Sequence, residues 1–128
     1  FTPARPWAED TFAVESDRAI NQAQHVLERL DAMEGEQVWE SGTLLFKARY
    51  DKESWNALQQ LRRHSYGVLL SRELRSINYK SSYYFSPDGH YFIVQFNSTF
   101  TNKQGTVETV ILNAGNPTTW EIVDILLN

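Results

Sequence analysis

The spacing of apolar residues changes near Gly67. Before it they recur every three or four positions, and after it every second position, which divides the chain into a helical first part and a stranded second part. Ile20, Ala23, Leu27 and Leu30 stack on one helical face, widened by Val26 and Met33, while Arg18, Gln22, Glu28, Arg29 and Asp31 lie mostly off it. Ser16 is placed to cap this helix and Gly35 to stop it. A second helical segment, 36–48, is apolar at Val38, Trp39, Leu45 and Phe46 and bends or breaks at Gly42. Asp51 caps a third helix, with Trp55, Leu58 and Leu61 on its inner face, and Gly67 closes it.

The remainder predicts four antiparallel strands. The first spans 69–85 and carries a bulge, because its alternation slips midway. Ser86-Pro87-Asp88-Gly89 predicts a turn in which Pro fixes φ and Gly supplies a positive φ. The second strand, 91–101, puts Phe92, Val94, Phe96 and Phe100 on one face. Asn102-Lys103-Gln104-Gly105 predicts a hairpin loop, and strands over 106–113 and 120–127 follow, joined through Ala114-Gly115-Asn116-Pro117. Helices followed by strands define an α+β fold: three N-terminal helices packed on a strongly twisted four-stranded antiparallel sheet. In element order this is similar to the cystatin-like cone shared with nuclear-transport-factor-two-like proteins. Residues 1–15, with two early prolines, predict an extended arm whose Trp7 and Phe12 dock on the body or a partner; residues 16–128 predict one domain.

Strand register decides which side chains can meet. With Thr101 opposite Thr106, Phe100 faces Val107, Phe96 faces Ile111, and Glu108 falls opposite Thr99 on the face away from the Phe row. With Leu112 opposite Trp120, Asp124 lies beside Glu108. Two adjacent acids form the ground state of an acid/base pair, because each raises the other's cost of ionising. Arg72, Glu108 and Asp124 are therefore the candidate polar site. The alternative is that both acids are solvated strand residues paired with Lys80 or Arg72, and a one-residue slip would separate them. In the same register the second sheet face carries Tyr91, Ile93, Gln95, Val110 and Leu112, and the last strand is apolar on both faces. A one-sided sheet alternates more cleanly. These five residues form a candidate interface, to be covered by a second copy in a homodimer, by the arm or by another protein.

Charge sharpens the picture. The 128 residues carry a net charge of −4, unevenly spread: nine acids and three bases in residues 1–46, three and eight in 47–80, four and one in 81–128. The overall sign argues against a nucleic-acid partner, although the basic middle precedes Tyr79, Tyr83 and Tyr84. The basic segment is instead expected to complement the acidic first helix, with an acidic partner surface as the alternative. Cysteine is absent, which excludes disulfides, thiol nucleophiles and thiolate metal sites. His25, His64 and His90 lie on three elements without ligand spacing, and no nucleotide loop or nucleophile elbow is present, so no metal or cofactor is expected. No apolar run is long enough to span a membrane. The chain starts at Phe1, which gives the expectation that a leader or other segment has been removed.

Several pieces occur together and in order: Trp55-x-x-Leu58-x-x-x-Arg62, Gly67 with Ser71-Arg72, Pro87-Asp88-Gly89, Gln95-Phe96 with Phe100, Asn102-Lys103, Glu108-Thr109-Val110 and Trp120. From Trp39 onward the chain resembles the bacterial family called domain of unknown function 4019. The resemblance implies a small exported protein, periplasmic or secreted, and brings no activity, substrate or catalytic residue. The reading that follows is a non-catalytic binding or protein-interaction module acting through a sheet face or a small apolar pocket. The alternatives are a dehydratase- or isomerase-like enzyme with a polar cavity, and an inhibitor or immunity-type protein whose acidic helices meet a basic partner.

Overall fold

The computed structural model describes residues 9–116 and 119–128. Four helices precede four strands: α1 (Glu9–Asp31), α2 (Gly35–Glu40), α3 (Leu44–Arg49), α4 (Lys52–Tyr66), β1 (Leu69–Lys80), β2 (Tyr91–Phe100), β3 (Lys103–Asn116) and β4 (Thr119–Leu127). The strands form one antiparallel sheet in sequential order, and the α+β class holds. The expected second helix is two short ones, separated at Gly42.

The expected extended arm is helical from Glu9 onward, and residues 1–8, including Trp7, lie outside the described residues. No Gly or Pro interrupts 9–15, so the helix propagates back past Ser16, whose hydroxyl is buried without a hydrogen-bond partner instead of capping. Phe12 anchors this first part, edge-on to Tyr79 at 5.4 Å and 6.2 Å from Phe92. The stripe of Ala19, Ala23, Val26, Leu27 and Leu30 is buried. The helix ends through Met33 at φ 62, not through Gly35. Gly35 opens α2 instead, where a Cβ would sit 2.3 Å from Asn56 Oδ1 of α4.

Gly42 breaks the helical run because the chain there lies alongside β4. Thr43 N–H donates to the Ile122 carbonyl and Ile122 N–H to the Ser41 carbonyl, both at 2.9 Å. A Cβ on Gly42 would meet the Phe46 ring at 2.3 Å. Asp51 caps α4 by accepting from Ser54 N–H at 3.1 Å, and Gly67 ends it at φ 83. The inner face of α4 is Trp55, Gln59 and Arg63, whereas Leu58 and Leu61 are 42% and 66% exposed. Two polar residues turn inward because Arg63 finds carboxylates there.

In the sheet, Phe92, Val94 and Phe96 of β2, Val110 and Leu112 of β3, and Ile122 and Ile125 of β4 pack against the helices. β1 carries the expected irregularity, with register shifts at Leu69/Ser71 and Leu74/Ser76, and stops at Lys80 short of Phe85. The 81–90 connection turns at Tyr84-Phe85, with Phe85 itself at φ 54; Gly89 does not take the positive φ. The β2–β3 hairpin turns at Thr101-Asn102, with Gly105 (φ 68) beyond it absorbing the irregularity. Thr101 is held there because its N–H donates to the Val68 carbonyl at 2.9 Å and its hydroxyl accepts from Val68 N–H at 3.0 Å. This earlier turn pairs Phe96 with Glu108 and Asn97 with Val107, an odd offset from the expected register, so every β3 side chain changes face.

Candidate functional site

The register change moves Glu108 to the helix side, where it is fully buried. It closes a ring of alternating charge with Asp31 of α1, Arg63 of α4 and Arg72 of β1. The ion-pair distances are 2.9 Å for Asp31–Arg63, 2.9 Å for Arg63–Glu108, 2.8 Å for Glu108–Arg72 and 2.8 Å for Arg72–Asp31. Ser98 on β2 donates its hydroxyl to Glu108 Oε1 at 2.6 Å. The Arg63–Glu108 contact is close but poorly aligned, so Glu108 Oε2 makes no hydrogen bond, and the Arg63 guanidinium lies 5.7 Å from the Phe100 ring centre. Burial is the largest influence on Arg72 and opposes its charge. The hydrogen bond to Asp31 and the attraction of Glu108 and Asp31 outweigh it and hold the pKa above the ordinary arginine value. Every charge in the ring is matched, and the ring joins elements that are far apart in sequence.

Asp124 lies on the opposite face. It pairs with Ile111, three residues away from the expected contact with Glu108, so the expected acid pair does not exist. A bulge at Ile122–Asp124 contributes the offset. Asp124 accepts from Arg49 at 3.1 Å, from the Tyr50 hydroxyl at 3.2 Å and from the N–H of Ile125 at 2.9 Å. The candidate polar triad is thus divided: Arg72 and Glu108 in the ring, Asp124 across the sheet.

The candidate interface is divided in the same way. Val110 and Leu112 are buried against the helices, while Tyr91, Ile93 and Gln95 lie on the other, open face. The excess apolar surface on that face has an intramolecular cover. The β1–β2 connection folds back, and Tyr83 packs with Ile93 on a second small core of Tyr91, Ile111 and Val123. Tyr83 meets Tyr91 at 5.8 Å and Tyr84 at 5.2 Å. Tyr91 donates its hydroxyl to the Pro87 carbonyl, which pins the connection. Burial, followed by the charge of Asp124, raises the pKa of Tyr83, and burial likewise raises that of Tyr91.

A cavity of about 820 Å³ opens beside this cover. Tyr83, Tyr84, Ile93 and Ile111 line it on the open face, Leu58, Gln59 and Arg62 from α4, and Ile125, Leu126 and Leu127 from β4. Consecutive strand residues point to opposite faces, so a cavity that touches all three β4 residues runs around the edge of that strand. Lys80 and Arg62 are its cations, no Asp or Glu lines it, and neither cation has an ion-pair partner among the described residues. Gln59 is 3% exposed and its Oε1 has no hydrogen-bond partner. Its place at i+4 from Trp55 was the available signal, masked by its polarity. A smaller cavity of about 240 Å³ lies between α1 and β4, lined by His25, Arg29 and Trp120 among others.

His90 accepts from, or donates to, the Tyr79 hydroxyl at 2.6 Å, and burial lowers its pKa while Glu15 opposes this. Among the described residues no group of three or more His, Asp or Glu is placed to hold a metal ion. No described helix is long and apolar enough to cross a membrane.

Together these features define an α+β protein with a largely buried charge ring between helices and sheet and a cleft wrapped around its last strand. By sequence, the chain belongs to the family described as Protein of unknown function (DUF4019), whose profile matches residues 22–124. The match starts within α1, earlier than the resemblance legible from Trp39 onward. No curated protein and no solved structure matches the chain.

Proposed function

We propose that the protein is a non-catalytic binding module that acts through the cleft around β4. The cleft itself carries this reading: its volume falls in the range of about 300–1,000 Å³ usual for ligand sites, and it combines apolar walls with a few polar groups. An acid/base enzyme has less support, since Glu108 and Asp124 are on opposite faces and each is engaged by arginine. The resemblance to small exported bacterial proteins supports a periplasmic or secreted location, which fractionation of the native host would test. Ile93 and Gln95 remain the partly exposed members of the candidate homodimer surface, and light scattering of the wild type against Ile93→Lys would test that assembly.

The cleft is tested with the fluorescent probe anilinonaphthalene sulfonate, an apolar anion. Saturable binding that Leu58→Asp abolishes in a folded protein supports the reading. Binding that Leu58→Asp leaves unchanged, or no binding, counts against it.

A further inference from the structure

The edge of β4 is used over only part of its length. Ile122 exchanges main-chain hydrogen bonds with the Ser41–Thr43 segment, and α3 follows the strand as far as Asp124, which Arg49 and Tyr50 hold by their side chains. Beyond that point the direction of the remaining groups follows from the ladder. Val107 and Asn128 exchange both main-chain hydrogen bonds, at 3.2 and 3.0 Å. In an antiparallel pair such residues alternate with ones whose N–H and C=O point away, so Ile125 and Leu127 direct theirs outward. The N–H of Ile125 is satisfied by Asp124 Oδ1 at 2.9 Å. The Ile125 carbonyl and both main-chain groups of Leu127 have no main-chain partner on that side among the described residues.

These outward groups border the cleft, which Ile125, Leu126, Leu127 and Asn128 all line. Across from them stands α4, whose Leu58, Gln59 and Arg62 also line the cleft. Leu58 and Tyr84 supply apolar surface, and Arg62 and Lys80 supply positive charge with no Asp or Glu side chain on the wall to pair with it. An occupant must therefore offer main-chain donors and acceptors, apolar side chains and negative charge.

We infer that the cleft receives an extended peptide with apolar and acidic side chains, which adds as a strand to the edge of β4 at Ile125 and Leu127. This rests on the cleft being the binding site, as proposed above, and names its occupant. Three β4 residues and the adjoining Asn128 line the cleft, so at about 3.4 Å per residue the paired stretch is about 14 Å, four or so peptide residues. Main-chain pairing supplies affinity and the cations select for acidic side chains.

The probe is a capped heptapeptide of alternating Val and Glu, titrated into the full chain and followed by amide NMR. It should shift the Leu127 amide resonance and slow its hydrogen exchange by about tenfold or more. The Val-Lys counterpart, and a version N-methylated at alternate residues, should each bind about tenfold more weakly. Arg62→Glu, at a half-buried side chain outside any ion pair, should abolish the preference for Glu over Lys, with Lys80→Glu as the second variant. An unperturbed Leu127 amide, or equal binding of the N-methylated peptide, overturns the inference. If anilinonaphthalene sulfonate occupies the cleft and the heptapeptide does not, the inference fails while the binding-module reading stands. If neither enters, both fail.

Discussion

Arg72 and Glu108 meet at 2.8 Å although a whole strand, β2, lies between the strands that carry them. Ser98 occupies the intervening position and binds the same carboxylate oxygen that Arg72 Nε reaches at 2.9 Å. Removing one member of such a buried set leaves a partner charged and unsolvated. Glu108→Ala should therefore cost about 3–5 kcal/mol of stability, read as a lowered urea midpoint. In the double variant Arg72→Met/Glu108→Leu the losses should be well below additive, and strict additivity would show that the pair is not coupled.

His90 sets one pH dependence. Burial lowers its pKa from 6.5, so the fold favours the neutral ring, which can accept the Tyr79 hydroxyl at Nδ1 where a protonated ring cannot. The stability this contributes is full above pH 6.5 and is lost as pH falls through the lower folded-state value. Urea midpoints measured from about pH 7.5 down to 5 should fall more steeply for wild type than for His90→Gln. Parallel curves would remove His90 from the account.

Two glycines separate strain from collision. Gly67 and Gly105 both have positive φ, but a Cβ on Gly67 would lie 2.1 Å from Thr101 Oγ1, whereas one on Gly105 meets nothing within 4 Å. Gly105→Ala should cost about 1 kcal/mol, and Gly67→Ala about 2–3 kcal/mol, since it also displaces the residue that fixes the hairpin. Thermal melts of the two variants would show the gap.

The β1–β2 connection should divide sharply under substitution. Tyr83→Ala uncovers Tyr91, Ile111 and Val123 and should cost about 1–3 kcal/mol, with loss of near-ultraviolet circular dichroism. Phe85 is 96% exposed at φ 54, so Phe85→Gly should hold or gain up to about 1 kcal/mol. Equal loss from both variants would contradict the packing described.

Periodicity was enough to place the helices and strands because Leu27, Leu30, Phe92 and Phe96 are apolar where they are buried. It failed where burial and polarity coincide. Gln59 and Arg63 occupy the inner face of α4, and Leu58 and Leu61 do not, because ion pairing compensates for burying the guanidinium. β3 is ambiguous by parity: Thr106, Glu108, Val110 and Leu112 are no more apolar as a set than Val107, Thr109, Ile111 and Asn113. Its face was therefore decided by where the hairpin turned, and the contact that holds the turn at Thr101 comes from Val68, more than thirty residues away. The open face looked unpartnered for a similar reason. Its cover, Tyr83, falls in the stretch 81–85 that reads as a continuation of the first strand, whereas β1 stops at Lys80 and the chain folds back.

The charge ring also bears on how the chain reaches this structure. Its members, at positions 31, 63, 72 and 108, come from α1, α4, β1 and β3, so no contiguous fragment of helices or of strands can complete it. A half-formed intermediate would hold charged groups at the very interface that must dehydrate, and would stay wet. Dehydration and ring closure are then expected to coincide late in folding, so that loss of the ring should show chiefly as faster unfolding.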